Sequence, residues 1–307
     1  MRYGIVDIGS NTIRFKLYDY IDGEIKYIVS NKKTIGLIAY RKNGKLHKKG
    51  IHALINTLKK FKKEMAGLNV DETYYFATAS IRNIDNTEEV LEAVKDKLDI
   101  DIHLLEDEEE ATLTFEAIKE KGLPVDDGII IDVGGGSSEI SIFENKTIIE
   151  SVSLPVGSLS MYEEYVSLMF PDKKEEHLIQ KRVHHEIKKS GIGKHEKDMI
   201  IGIGGSVRSI KRLLVSLNLI EHHHKSIPID LLDEILDNQL RHNTKEDYNK
   251  VLRVKAERIH TFIPGLIITE TIAKYFNVKE LYFTHYSIKE GVLYSIINKE
   301  SGLYEGV

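Results

Sequence analysis

The chain has 307 residues, 41% of them hydrophobic and 30% charged, a balance typical of a globular protein with room for two domains. Its net charge of −5 argues against a nucleic acid as the main partner, and the absence of cysteine excludes disulfides, thiolate metal sites and cysteine nucleophiles. No stretch reaches transmembrane length, and the N-terminus begins with a strand-like segment instead of a signal peptide. We therefore expect a cytoplasmic protein with no membrane partner.

The first predicted element is a β-hairpin over residues 3–20, in which a short apolar run leads to Asp7 and a glycine-containing turn. The same pattern returns over residues 128–143, where Asp132 precedes three glycines and two serines. An acid, a glycine and a hydroxyl thus recur in register 125 residues apart within matching apolar patterns. The repeat predicts an internal duplication that gives two related domains facing one cleft.

The second turn has the composition of a phosphate site. Its three glycines let the backbone approach a ligand closely, and Ser137 and Ser138 add hydroxyl donors. Amides that point into one concavity bind phosphate oxygens, and Asp132 at the end of the strand could hold a hydrated metal ion. Taken alone, the turn could equally be an ordinary glycine-rich hairpin.

Two lysine-rich segments follow the first hairpin. Residues 31–49 have the composition of a mobile surface loop, and the apolar spacing from residue 51 to residue 65 predicts a helix. The lysines on this helix are expected to form a solvated face, with phosphate binding as the alternative. These lysines are Lys59, Lys60, Lys62 and Lys63.

The next two segments could contribute side chains to a site. The predicted strand 73–80 delivers Thr78 and Ser80 at its end, followed by Arg82, and these residues could form a ligand edge or cap a helix. Residues 106–120 are predicted to form a helix with acids crowded into its first turn. The helix dipole favours acids there, so capping explains most of them without any chemistry.

A third glycine turn lies within residues 198–214, where a predicted strand, a glycine turn and a helix follow one another. Gly204, Gly205 and Ser206 suit the start of a phosphate-binding helix. Such a turn is weak on its own, but it is the third in one chain.

The rest of the chain is predicted to be mainly helical. Residues 226–229 are expected to cap a helix over 229–241, and a Pro-Gly break precedes a long helix within 256–276. A strand at 280–285 and a closing helix at 287–298 complete the chain.

Together these motifs resemble the exopolyphosphatase/guanosine pentaphosphate phosphohydrolase (Ppx/GppA) family. The motifs that carry the resemblance are DIGSNTIRF at 7–15, ATASIRN at 77–83, EEEA at 108–111, IDVGGGSSEI at 131–140, GIGGS at 202–206, ERIHTFIPG at 257–265 and KEG at 289–291. The resemblance implies an α/β protein of the actin-like/sugar-kinase-like ATPase superfamily, which is ribonuclease H-like. Two similar domains would each have a five-stranded mixed sheet with flanking helices, and the active cleft would lie between them.

No segment is rich enough in proline and serine to be a linker, so we expect the domains to meet after residue 121, with domain I comprising residues 1–121 and domain II residues 122–286. The resemblance, to the short two-domain form of the family, implies that a C-terminal helix, 287–307, packs back on domain I.

By the same resemblance, the protein would release terminal orthophosphate from polyphosphate or from a guanosine penta- or tetraphosphate. Mg²⁺ or Mn²⁺ would be the cofactor, held by Asp7 and Asp132, and a homodimer would match family habit. Glu110 would position or deprotonate the attacking water, with Glu109 as a stand-in, and Arg82 would contact a non-bridging oxygen. The implied phosphate ligands are Gly9, Ser10, Asn11, Thr12, Thr78, Ser80, Gly134, Gly135, Gly136, Ser137, Ser138, Gly204, Gly205 and Ser206.

The chain departs from the family pattern in several places. Residues 34–37 read Thr-Ile-Gly-Leu where the family often has an arginine, Ser160 stands where many members have one, and Lys289 replaces the arginine of an Arg-Glu-Gly motif. Glu106 and Asp107 replace a Ser-Gly pair before the catalytic acids.

Two other functions remain open at this point. One is a small-molecule kinase or ATPase of the same superfamily, and the other is a non-catalytic sensor of (p)ppGpp or polyphosphate. The joint presence of Glu110, Asp7 and Asp132 favours the hydrolase.

Overall fold

The structure is a computed structural model that describes residues 1–240 and 242–298, and these fall into two compact units. The first unit comprises Met1–Thr114 and the chain from Ile288 onward, and the second comprises Phe115–Ser287. The domain boundary expected after residue 121 stays a prediction.

The first 119 residues contain seven strands, four α-helices and one 3-10 helix. In chain order they are β1 (Arg2–Ile8), β2 (Thr12–Ile21), β3 (Glu24–Thr34), the 3-10 helix (Leu37–Tyr40), β4 (Arg41–Lys42), β5 (Lys45–Leu46), α1 (Lys48–Ala66), β6 (Glu72–Ala77), α2 (Ala79–Arg82), α3 (Thr87–Leu98), β7 (Ile102–Leu104) and α4 (Asp107–Lys119). The two units divide within α4.

The sheet of the first unit has the strand order β3-β2-β1-β6-β7. Strands β1, β2 and β3 pair antiparallel, whereas β1, β6 and β7 pair parallel, so the predicted five-stranded mixed sheet is confirmed. Successive side chains of a strand point to opposite faces. Accordingly, Val6 and Ile8 of β1 join a buried cluster with Leu54 of α1, while Ile5 joins a second cluster on the other face.

The expectation of a mobile loop over residues 31–49 was wrong. Strand β3 continues to Thr34, and the 3-10 helix and the β4–β5 hairpin fill the rest of the segment. The local signal is Asn43-Gly44, whose positive φ angles of 49° and 77° form the tight turn between β4 and β5.

The remaining elements follow residue 127. They are β8 (Gly128–Val133), β9 (Ser138–Glu144), β10 (Thr147–Leu154), α5 (Ser158–Tyr165), α6 (Lys173–Ser190), β11 (Met199–Ile203), α7 (Gly204–Ser216), β12 (Ser226–Pro228), α8 (Asp230–Glu234), a π-helical turn (Ile235–Gln239), α9 (Lys245–Lys255), a second 3-10 helix (Ala256–Arg258), α10 (Phe262–Tyr275), β13 (Glu280–Phe283) and α11 (Ile288–Asn298). Helix α11 belongs to the first unit, and residues 299–307, which the expected C-terminal helix includes, lie outside the described residues.

The sheet of the second unit is mixed, as predicted, but has six strands in the order β10-β9-β8-β11-β13-β12. The sixth strand is β12. The expectation that residues 226–229 cap a helix was wrong, because Ser226–Pro228 pairs antiparallel with β13, and a helix, α8, begins only after it at Asp230. Ile227 is buried there, and Pro228, which has no amide hydrogen, is tolerated because β12 is an edge strand.

None of the helices within residues 1–240 and 242–298 combines the length and the apolar composition needed to cross a membrane.

A buried carboxylate of the second unit predicts a pH-dependent stability. Glu270 on α10 is 2% exposed, and Lys274 Nζ lies 2.6 Å from its Oε1 and 2.6 Å from Oδ1 of Asp233. Burial, together with Asp233, raises the pKa of Glu270 from 4.5 to about 7. Because the folded-state pKa lies above the unfolded value, this group favours folding below about pH 4.5 and loses that contribution as the pH rises through 7.

Ionisation of Glu270 lowers the free energy of unfolding by up to about 3 kcal/mol as the pH rises, and we expect Glu270→Gln to remove this decrease. The measurement is the free energy of unfolding in denaturant from acidic to mildly alkaline pH, for the variant and the wild type. The curves should diverge as the pH rises, with the variant more stable; parallel curves would contradict the assignment.

Candidate active site

The two glycine turns are closed by the same backbone hydrogen bond. The Gly9 amide donates to the Thr12 carbonyl at 3.2 Å, and the Gly134 amide donates to the Ser137 carbonyl at 3.0 Å. The residues that match in sequence therefore occupy matching places in the two hairpins.

The segment that follows β3 forms backbone hydrogen bonds to the carbonyls of the first turn. The amides of Ile35 and Gly36 both donate to the Asn11 carbonyl at 3.0 Å, and the Ile38 amide donates to the Ser10 carbonyl at 3.0 Å. In a trans peptide the carbonyl and the next amide point in opposite directions. With these carbonyls turned toward the 3-10 helix, the amides of Asn11 and Thr12 point away from it. Gly36 thus supports the first turn through its backbone amide.

Helix α5 holds the second turn in the same way. The Ser158 amide and hydroxyl both donate to the Gly134 carbonyl at 2.9 Å, and the amides of Leu159 and Ser160 donate to the Gly135 carbonyl at 2.9 and 3.0 Å. The first-turn amides of a helix have no partner inside it, so the turn satisfies them. By the same peptide geometry, the amides of Gly135 and Gly136 point away from α5.

Gly157 makes this close contact possible. A Cβ at residue 157 would lie 2.4 Å from the Gly135 carbonyl group and from the Gly136 nitrogen, closer than real Cβ atoms come. No local sequence pattern predicts this contact, because it joins two separate loops of the chain.

We expect Gly157→Ala to displace the second turn and to lower, at least tenfold, the phosphate release that the family resemblance implies. Overpacking of this kind costs about 2 kcal/mol of stability. Gly67→Ala is the matched control, because its backbone is helical and a Cβ there meets nothing nearer than 3.5 Å. Phosphate release and the unfolding midpoint should be measured for both; full activity in Gly157→Ala would show that the turn tolerates displacement.

The third glycine turn lies against Asp132. Gly204 opens α7 with a φ of 78°, and a Cβ on it would lie 2.0 Å from Oδ1 of Asp132. The carboxylate is therefore packed on the N-terminus of a 13-residue helix, where the dipole favours negative charge.

Each unit contains the same type of hydrogen bond from a serine hydroxyl to a strand carbonyl. Ser80 donates to the Ile8 carbonyl at 2.6 Å, and Ser206 donates to the Val133 carbonyl at 2.8 Å. Each acceptor directly follows the matched aspartate, so the duplication extends beyond the hairpins, which the sequence analysis did not detect. Thr78 lies at the N-cap of α2, without a side-chain capping bond.

The two predicted serine ligands of the second turn, Ser137 and Ser138, also have partners within the protein. Ser138 is buried and donates to the Val156 carbonyl at 2.6 Å, and Ser137 donates to Glu139 at 2.7 Å. Phosphate binding by the serine side chains stays a prediction.

Arg258 is a site residue that the sequence analysis did not assign. It ends the second 3-10 helix, and a Cβ on Gly205 would lie 1.9 Å from its Nη2. Its Nη1 lies 3.4 Å from the Ser206 hydroxyl oxygen. The guanidinium thus lies on the third glycine turn, where its planar fork suits phosphate oxygens. The available signal was the arginine within the shared ERIHTFIPG motif.

Arg82 anchors the start of the helix that carries Glu110. Its guanidinium donates to the Asp107 carboxylate and to the Leu105 carbonyl. Glu109 accepts from the Glu106 amide at 2.9 Å, as a helix-capping residue does. Glu110 is half-buried in the same first turn. The catalytic roles of these three residues stay predictions.

The K-E-G motif of α11 is explained residue by residue. Lys289 pairs with Asp7 at 2.7 Å, and its side chain is 9% exposed. Glu290 accepts from Lys16 and from the Tyr18 hydroxyl, both at 2.5 Å. A Cβ on Gly291 would lie 1.9 Å from the carbonyl oxygen of Leu113, so α11 approaches α4 closely there.

Charge and burial determine the protonation of the Glu290 group. Burial raises the pKa of Glu290, but Lys16, two hydrogen bonds and Lys289 outweigh this effect and hold it below its ordinary value. Burial also raises the pKa of Tyr18 well above its usual range, and the charge of Glu290 adds to this shift.

The two aspartates predicted as metal ligands suit an ion that keeps much of its hydration. In the described part of the chain, no three His, Asp or Glu side chains come together as a ligand set. Mg²⁺ commonly takes one or two carboxylates and completes its shell with water and phosphate oxygens. Asp132, packed against Gly204 in the second unit, and Asp7, paired with Lys289 in the first, each offer a single carboxylate of this kind.

Two mixed sheets with matched glycine turns define a duplicated α/β protein built around phosphate-type turns. The chain belongs to the Ppx/GppA phosphatase family, whose model matches residues 18–300. The resemblance noted in the sequence is therefore confirmed, and with it a phosphohydrolase class.

Individual relatives agree with this assignment. Exopolyphosphatase 1 of Mycobacterium tuberculosis (strain H37Rv) is 24% identical over 98% of this chain and 90% of its own length. The crystal structure of the Aquifex aeolicus Ppx/GppA family member superposes with a TM-score of 0.79 at 25% identity, covering 98% of this chain and 99% of that one. An exopolyphosphatase from Cytophaga hutchinsonii shares the fold, with a TM-score of 0.82 at 20% identity, covering 97% of this chain and 98% of that one.

Proposed function

We propose that this protein is an exopolyphosphatase that releases terminal orthophosphate from inorganic polyphosphate. Guanosine pentaphosphate, which ends in the same anhydride, is the second candidate substrate. The observation that carries the proposal is the matched pair of turns, in which helical segments hold the carbonyls and leave amides pointing outward. The curated relatives named exopolyphosphatase support it.

In the proposed reaction, Glu110 accepts a hydrogen bond from a water molecule and aligns it with the terminal phosphorus. The water oxygen bonds to phosphorus as the bond to the bridging oxygen breaks. Glu110 takes the proton of the water, and the bridging oxygen leaves with the shortened chain. The products are orthophosphate and a polyphosphate shorter by one unit.

The glycine turns stabilise the charge on the transferred phosphoryl group. In the first turn the backbone amides of Asn11 and Thr12, and in the second those of Gly135 and Gly136, are the donors we assign to phosphate oxygens, and within each turn their orientation is fixed before a substrate arrives. Arg258 on the third turn is the cation we assign to a non-bridging oxygen. This role adds to the contact with a non-bridging oxygen that the family resemblance implies for Arg82.

We also propose that Asp132 and Asp7 bind Mg²⁺, or Mn²⁺ in its place. A bound ion would neutralise negative charge on the phosphate oxygens. Lys289 holds one oxygen of Asp7 and so limits the directions from which that carboxylate can bind an ion. Cytoplasmic location and a homodimer stay predictions of the sequence.

The proposal is tested by incubating the purified protein with Mg²⁺ and long polyphosphate, tripolyphosphate, guanosine pentaphosphate or ATP, and measuring free orthophosphate. We expect release from polyphosphate. Release from none of them, with nucleotide binding retained, would favour the sensor. Consumption of ATP with transfer to an acceptor other than water would favour the kinase.

A further inference from the structure

One continuous part of the chain is free of acids. From Ile25 to Lys63 the sequence has twelve lysines and arginines and no aspartate or glutamate. The whole chain has 43 basic and 48 acidic residues, so the remainder carries 31 basic and 48 acidic side chains. A strongly cationic surface on an acidic protein points to an anionic ligand that binds there.

The part of this stretch next to the first glycine turn is a cationic hairpin, which we define as residues 41–49. It comprises β4, β5 and the beginning of α1, and its cationic side chains are all exposed. They are Arg41, Lys42, Lys45, Lys48 and Lys49. None of the five pairs with an acid anywhere in residues 1–240 and 242–298. Asp85, the acid at the hairpin turn, packs against Gly44.

Backbone contacts attach the cationic hairpin firmly to its surroundings. Ile38, whose amide bonds to the Ser10 carbonyl of the turn, lies only three residues before Arg41. Three residues span at most about 11 Å. At the other end, the Asn86 side chain accepts from the Leu46 amide at 2.8 Å and donates to its carbonyl at 3.1 Å. The cations are therefore presented close to the turn by a fixed backbone.

The lysines at the end of α1 lie elsewhere. Met65, at the C-terminal end of α1, comes within 3.1 Å of a Cβ built on Gly4. Gly4 belongs to the half of β1 away from the turn, so Lys59, Lys60 and Lys63 lie toward the opposite end of the sheet. These three lysines match the cations of the cationic hairpin in charge and exposure but lie at a different place in the unit.

We propose that the cationic hairpin binds the internal phosphates of a long polyphosphate chain whose terminal phosphate lies at the Gly9–Thr12 turn. This inference rests on the proposed hydrolase function. Lysine is a compact charge on a flexible stem, which suits a polymer that shifts by one unit after each cleavage. Polyphosphate carries a phosphate at every unit along its length, whereas a nucleotide carries only a few in a row, so we expect the hairpin to favour long chains.

The test is a triple variant, Arg41→Gln, Lys42→Gln and Lys45→Gln, with Lys59→Gln, Lys60→Gln and Lys63→Gln as the matched control. For each protein, kcat/KM is measured on long polyphosphate and on tripolyphosphate over a range of salt. We expect the ratio of kcat/KM on long polyphosphate to kcat/KM on tripolyphosphate to fall at least tenfold in the hairpin variant. In the control variant this ratio should stay at the wild-type value. For long chains, the slope of log KM against the logarithm of the salt concentration should decrease in magnitude by about two, because three cations no longer release counterions.

An unchanged ratio, or an equal fall in the control variant, would overturn the inference. Tighter binding of single-stranded RNA than of polyphosphate, lost in the hairpin variant, would overturn it in favour of a nucleic-acid surface. Equilibrium binding of long polyphosphate separates the two proposals. If the wild type binds long chains through the hairpin but releases no orthophosphate, the hydrolase proposal fails and the binding surface stands.

Discussion

Replacing Glu110 with glutamine is expected to lower orthophosphate release by a factor of about 10²–10⁴, the usual contribution of a general base. Glutamine keeps the size of the side chain and its place in the first turn of α4 but cannot take a proton from water. Binding of polyphosphate and the unfolding midpoint should stay close to those of the wild type. The measurement is single-turnover phosphate release alongside equilibrium binding.

Two neighbours in the same helical turn serve as controls for Glu110. Glu108 is exposed, so Glu108→Gln should have little effect on release. Glu109 caps the helix, so Glu109→Gln should mainly lower stability, by about 1 kcal/mol or less. If Glu109→Gln were the variant that lost activity while Glu110→Gln kept it, the two residues would exchange roles.

Replacing Lys289 with methionine is expected to destabilise the first unit by about 3 kcal/mol, because removing one partner of a largely buried ion pair leaves the other charge uncompensated. The carboxylate of Asp7 is only 21% exposed and would lose its cation. We also expect the Mg²⁺ concentration for half-maximal release to change, since Asp7 would no longer be held in one orientation.

Lys289→Arg is the control that separates charge from packing. It restores a cation of similar reach and should recover most of the stability and the metal dependence. Denaturant unfolding and Mg²⁺ titrations of release should be run on both variants. A methionine variant with wild-type stability and an unchanged Mg²⁺ titration would show that Asp7 does not depend on Lys289.

The duplicated hairpins could be predicted from sequence because their signals are local. Asp7 and Asp132 each end an apolar run, and the turn follows within a few residues. The alternation of buried side chains along β1, β2, β8 and β9 follows from the same short segments. Short-range patterns of this kind predict which residues form the strands and where the turns between them lie in the chain.

The contacts that shape the site could not be predicted, because they join residues far apart in the chain. Lys289 meets Asp7 across 282 positions, and Ser206 meets the Val133 carbonyl across 73. Arg258 is placed on Gly205 by the packing of the second unit. No periodicity in the sequence reports such pairings.

Short elements were the other source of error. Strand β12 has three residues and contains a proline, so its local pattern resembles a cap more than a strand. The π-helical turn Ile235–Gln239 likewise interrupts a segment that reads as one continuous helix. In both places tertiary packing overrides local preference.

The hydrogen bonds from α5 to the Gly134 and Gly135 carbonyls link the folding of a helix end to the state of the turn. Hydrogen exchange at Leu159 and Ser160 requires their bonds to Gly135 to open, and the turn loses its support in that moment. A ligand that binds the supported turn therefore makes this opening rarer. Occupancy of the turn would be recorded as slower exchange at two amides that face away from the ligand.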